Sequence, residues 1–236
     1  MKQRIWELDA FRGLCILGVI IVHFGYDVIE LYKLIPLDYP SWFLFIKEWG
    51  GILFILLSGL CATLGSRSVR RGLIVFACGM IITAVTTGMY YLNMADKGII
   101  IYFGVLHCLG VCMLLWPLFK KLPWWVLAGL GVVLAGLGFL VQNITTQYHF
   151  LMPLGIMWDG FKTSDYFPLL PNLGYFLIGS ALGRTVYRNK NTLLPQVRAD
   201  KGVLGFLQWC GRQSLPIYLL HQPILASVCY LIMLFK

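Results

Sequence analysis

Charge is what this sequence has least of. Only 12% of its 236 residues are Asp, Glu, Lys or Arg, and acids number 10. A water-soluble domain devotes about a quarter of its residues to charge in order to stay solvated. A chain with half that provision must turn its outside to lipid, and the mean hydropathy of +0.78 agrees. Other absences narrow the class further. The seven cysteines have no ligand spacing with a partner histidine and no pair in an exterior loop, which excludes a disulfide framework and predicts no metal site. Asp9 and Arg12 interrupt the first apolar stretch and no small-residue cleavage site follows it, so that stretch is expected to be retained rather than removed as a signal. There is no phosphate-binding loop, internal repeat or heptad array. The net charge of +9 comes without any nucleic-acid-binding motif, and its basic residues sit in short loops between apolar runs, where lipid head groups explain them.

What is present is a series of apolar runs. At ~20 residues per crossing, they predict an all-α polytopic integral membrane protein of about seven helices in a single transmembrane domain, 1–236. The runs are 8–26, 42–64, 72–92, 98–118, 124–141, 167–182 and 215–235, and the segment 142–166 leaves room for an eighth, re-entrant or interfacial element. Gly129, Gly131, Gly136 and Gly138 make the fifth run suited to close helix packing and leave a homodimer open.

Lysine and arginine set the orientation. With the N-terminus in the cytoplasm, Lys2, Arg4, Arg67, Arg70, Arg71, Lys120, Lys121, Arg184, Arg188, Lys190, Arg198, Lys201 and Arg212 fall inside. Lys33, Lys47, Lys97, Lys162 and Lys236 fall outside: thirteen against five, with Arg12 set aside as intramembrane. That bias is the positive-inside pattern, and it predicts an odd number of crossings in a plasma membrane. The outer side instead collects acids (Asp27, Glu30, Asp38, Glu48, Asp96, Asp159, Asp165) and aromatics (Tyr32, Tyr39, Trp42, Tyr148, Trp158, Tyr166). The aromatics serve equally as an interfacial girdle or a glycan-binding surface.

Ionisable groups at membrane depth are costly and mark function. Arg12 and His23 are eleven residues apart on the first run, which leaves them about 20° out of register and ~16 Å apart along a helix. A cation at one end and a titratable imidazole at the other would line a pathway. Alternatively Arg12 pairs with Asp9 and snorkels to head groups. Glu48, at a depth similar to His23, either pairs with that imidazole and raises its basicity or bridges to Lys47. His107 and His221 read either as hydrogen-bond partners between helices or as members of the same cavity.

The stretch Leu8-Asp9-Ala10-Phe11-Arg12-Gly13, with His23 ten residues beyond, opens a series of ordered motifs. Phe54-Ile55-Leu56-Leu57-Ser58-Gly59 and Phe103-Gly104-Val105-Leu106-His107 follow, then Asp165-Tyr166-Phe167-Pro168-Leu169-Leu170-Pro171. Gly211-Arg212-Gln213-Ser214-Leu215, leading into Ile217-Tyr218-Leu219-Leu220-His221-Gln222-Pro223, closes it. The set resembles the heparan-α-glucosaminide N-acetyltransferase catalytic-domain family, in particular its small prokaryotic members, and through it the acyltransferase-3 superfamily. The resemblance implies an acetyl group taken from acetyl-CoA in the cytoplasm and delivered to an amino sugar or other glycan outside. In its terms His23, Glu48 and His107 are catalytic candidates, and Arg12, Asp9, Arg70, Arg71 and His221 are donor-binding candidates. The expected partners are acetyl-CoA, the glycan acceptor and membrane lipids, with no metal cofactor. One departure is that the loop 27–41 carries no histidine. The competing class is a small-molecule transporter or pore with an intramembrane His/Arg pathway, against which stands the missing inverted repeat.

Overall fold

A computed structural model describes residues 4–197 and 201–235; Lys2, Arg198 and Lys236, which enter the charge count, lie outside the described residues. The chain is helical: α1 (Trp6–Tyr26), α2 (Ser41–Leu64), α3 (Ser68–Tyr91), α4 (Val105–Phe119), α5 (Trp124–Val141), α6 (Leu169–Val186), α7 (Gly202–Arg212) and α8 (Ser214–Leu234). Among the described residues the only β pairings are two isolated bridges, Phe103 with Tyr166 and Thr145 with Met157.

Among the described residues, five helices are long and apolar enough to cross a membrane: α1 with the turn that extends it to Leu31, α2, α3, α5 and α8. The fourth and sixth expected spans come out differently. In the fourth, Lys97–Ile99 form one 3₁₀ turn and the helix begins only after Gly104, so α4 keeps 15 residues. The sixth runs Leu169–Val186, and most of it is buried against protein. Within 142–166 there is one 3₁₀ segment, His149–Leu154, far too short to cross. The short α7 falls where the sequence reading has a loop.

The chain forms two compact units, 1–54 with 189–236 and 55–188, and α2 contributes to both. In the first unit, α7 crosses the start of α1 at backbone contact. A Cβ on Gly13 would collide with the Leu207 carbonyl, and one on Gly211 with the Asp9 carbonyl. From there α8 runs alongside α1 in the same direction, since His221 meets His23 and Gln222 meets Asp27. Past Tyr26 the helix widens to a π turn, Asp27–Leu31, closed by the Tyr32 N–H on the Asp27 carbonyl at 2.8 Å. Turns of this kind concentrate at functional sites.

In the second unit α6 is the central helix. Gly59 lies on the Phe176 carbonyl, Gly179 on the Leu56 carbonyl and Gly183 on the Leu60 carbonyl, so α2 and α6 touch at three glycines, one on α2 and two on α6. Small residues are how helices associate where lipid supplies no hydrophobic driving force. Ser180, fully buried, holds its hydroxyl between the carbonyls of Gly59 (3.0 Å) and Phe176 (2.9 Å). On the other flank of α6, Gly131 and Gly138 of α5 meet Gly174 and Pro171, whereas Gly129 and Gly136 meet nothing within 4 Å. Only half of that glycine pattern therefore serves packing within the chain.

Gly179→Val would push two methyls and a Cβ into the backbone of Leu56, where no side chain can give way. A destabilisation of about 1–3 kcal/mol is expected from overpacking, read as a lower midpoint of thermal unfolding in detergent. Gly136→Val, facing open space, should leave that midpoint unchanged.

Candidate functional site

At the start of α1 the cation–acid pattern of the sequence closes on itself. Asp9 forms ion pairs with two arginines, Arg4 and Arg12, each at 3.6 Å. Its carboxylate is 14% exposed and the Arg12 side chain 23%, so both sit mainly in protein. Asp9 thus acts on Arg12, holding its guanidinium in place on the first turns of α1. Among the described residues no hydrogen bond is made by the guanidinium, which carries five N–H groups. Nearby, Glu7 accepts from the Thr192 hydroxyl (2.8 Å) and the Leu193 N–H (2.7 Å), tying the segment before α7 to this end of the helix.

Three turns on, His23 lies on the same face. It makes no hydrogen bond among the described residues, and its ring meets that of His221 edge to face at a centroid distance of 4.8 Å. His221 is 7% exposed and its Nδ1 lies 2.5 Å from the Tyr218 carbonyl. A carbonyl only accepts, so Nδ1 carries the proton and Nε2 a lone pair. One turn beyond His23, the fully buried Asp27 accepts from the Gln222 amide nitrogen, at 2.9 Å to one carboxylate oxygen and 3.1 Å to the other. The far end of α1 is therefore a four-residue cluster from two parallel helices: His23 and Asp27 opposite His221 and Gln222.

The sequence reading pointed to part of this. It singled out His23 and His221 but assigned His221 to donor binding, and it took Asp27 for an interfacial acid. Asp27 follows His23 by one helical turn, which is the signal that would have found it. The π turn carries the helix past Tyr26 and brings Asp27 inside. Glu48 is not in the cluster: it is exposed and forms no hydrogen bond or ion pair among the described residues, with either His23 or Lys47. Arg70 and Arg71 are exposed at the start of α3, in the other unit.

His107 also belongs to the other unit, and both of its ring nitrogens are occupied. Nδ1 accepts the Gly104 N–H at 3.2 Å, and Nε2 lies 3.2 Å from the Thr83 hydroxyl, whose own proton goes to the Ile101 carbonyl at 2.6 Å. Hence Nε2–H is the donor. With Asp165, which accepts the Val105 N–H at 3.1 Å, His107 satisfies the first amides of α4. The Phe103 and Phe76 rings enclose it, at 5.6 and 5.7 Å between centroids. The loop that brings Asp165 here is itself anchored by Tyr166, whose hydroxyl donates to the Met152 carbonyl at 2.6 Å; burial pushes its phenol up to about 12. Among the described residues no three His, Cys, Asp or Glu side chains converge in a way that could hold a metal ion.

Against known proteins, the family model described as heparan-alpha-glucosaminide N-acetyltransferase, catalytic, matches residues 4–223. No curated protein and no solved structure matches the chain.

His107→Ala removes the cap of α4 and leaves a ring-sized void between Phe103 and Phe76. The expected cost is on the order of 3 kcal/mol. It should appear as a lower unfolding midpoint together with faster amide exchange at Gly104 and Val105.

Proposed function

Because the chain belongs to the heparan-α-glucosaminide N-acetyltransferase catalytic family, we propose that it passes an acetyl group from cytoplasmic acetyl-CoA to a sugar amine or hydroxyl on the outer side of its membrane. The family is one of acetyltransferases, and the five membrane-length helices make this a membrane-bound member. The positive-inside bias of the loops supports a cytoplasmic start for α1, in a plasma membrane.

The observation that carries the reading is the single face of α1 shared by Arg12 and His23. Arg12, oriented by Asp9, offers free donors to the phosphates of the donor, and the exposed Arg70 and Arg71 add cationic charge to an inner loop. The ~16 Å between the two side chains is of the order of the extended arm that carries the thioester of acetyl-CoA. His23, with no hydrogen bond among the described residues, is free to take a proton. In the transfer step the sugar amine or hydroxyl gives its proton to His23 and bonds to the acetyl carbonyl carbon. The carbon–sulfur bond then breaks, and the thiolate leaves to be protonated as CoA. An imidazole in this role contributes roughly 10²–10⁴-fold in rate.

Two substitutions separate the ends of the helix. His23→Ala should lower acetyl transfer by roughly 10²–10⁴-fold with acetyl-CoA binding intact by calorimetry. Arg12→Ala should weaken binding of both acetyl-CoA and CoA by about 10–100-fold, the worth of a charge-assisted hydrogen bond. Full activity of folded His23→Ala, or unchanged donor binding in Arg12→Ala, would sink the proposal. Substrate flux into proteoliposomes without transfer would point to a transporter instead.

A further inference from the structure

Two hydrogen-bond acceptors at the far end of α1 have no donor. Asp27 is fully buried, with no cation against it among the described residues, and the Gln222 amide nitrogen serves both of its oxygens. An amide nitrogen only donates, so both Asp27 oxygens accept from it, and Oε1 is turned away. Gln222 Oε1 is buried and has no hydrogen-bond partner. The preceding side chain of α8 repeats the situation. The Tyr218 carbonyl takes the Nδ1 proton of His221, which leaves Nε2 as a lone pair, buried and likewise without a partner. Buried polar atoms are paired in the great majority of cases, so two orphans of the same sign on consecutive residues call for an explanation.

Both orphans accept, so what satisfies them must bring N–H or O–H groups. A thioester, a phosphate or a carboxylate has none to offer, and the amide N–H groups on the arm of the acyl donor stand several bonds apart along a chain. A sugar, with hydroxyls or an amino group on neighbouring carbons, has several. We infer that Gln222 and His221 form the subsite that reads the donor groups of the sugar, and that Asp27 is a positioning residue which acts by orienting the Gln222 amide. The inference rests on the acetyltransferase reading and adds to it the residues that select the sugar. His23, edge-on to His221, stands beside the subsite as the base. Asp27 takes the place that the sequence reading had offered to Glu48, as the acid of the site, though it works through Gln222 rather than through the imidazole.

The test uses the full chain in detergent with acetyl-CoA, and glucosamine or glucose as the sugar. Gln222→Met keeps the length of the side chain and removes Oε1. Asp27→Asn keeps a partner for Gln222 but lets its amide turn over. Each should raise the KM for the sugar, by about five- to ten-fold for Gln222→Met, the worth of one neutral hydrogen bond, with the KM and dissociation constant of acetyl-CoA unchanged. A merely structural tie between α1 and α8 would move donor and sugar constants together and lower the unfolding midpoint. That result, or an unchanged sugar KM in folded protein, overturns the inference. If Gln222→Met does not fold, Asp27→Asn carries the same test. Wild type that neither binds acetyl-CoA nor transfers acetyl refutes the underlying function. Wild type that binds acetyl-CoA but acetylates neither sugar refutes the subsite and leaves the donor reading standing.

Discussion

Away from water, each polar group of this chain has to find its partner inside the protein, and that requirement shapes the fold more than apolar packing does. Ser180 sits between two backbone carbonyls. Arg184 donates to the Leu122 and Lys120 carbonyls past the end of α4 and lies over the Trp116 ring. His107 and Asp165 close the opposite end of α4. Even the close glycine contacts answer the same need, because they bring backbone to backbone where lipid supplies no drive for association. Against so complete an accounting, His221 Nε2 and Gln222 Oε1 are exceptions with a location, and the location is where the free imidazole of His23 is found.

Much of this was legible in the sequence, and what was missed has definite causes. Helix identity and lipid exposure follow from hydropathy, and the family from the order of short motifs, each weak alone. Arg12 and His23 on one face follow from helical arithmetic. The bounds of the fourth and sixth runs were less legible: a 3₁₀ turn and the cap at Gly104 shorten α4 to 15 residues, and most of α6 is buried against protein, which composition alone does not show. Asp27 stands one turn beyond His23 but was misread because the expected helix ended at Tyr26 and left it at the interface; the π turn that brings it inside has no mark in a sequence. Whether Glu48 or another acid would stand near His23 depended on how α8 is seated, and no local pattern carries that.

The two ends of α1 do different electrostatic work with similar materials. At the start, one carboxylate lies between two guanidiniums, and what is presented there is cationic N–H. At the far end, one carboxylate faces a neutral amide, and the surplus is of lone pairs. Under the proposed function, a helix graded in this way would tell donor from acceptor by the hydrogen-bonding character of what each presents, before shape is considered.

The π turn has a further consequence, for comparison between sequences. It holds one residue more than an α-helical turn would at the same place, between Tyr26 and Tyr32. A single-residue insertion or deletion there adds or removes it without disturbing the helix on the near side. Any chain lacking that turn falls one position out of step with this one beyond Tyr26. Equivalence of residues in the following loop therefore has to be judged in space, not by counting along the chain.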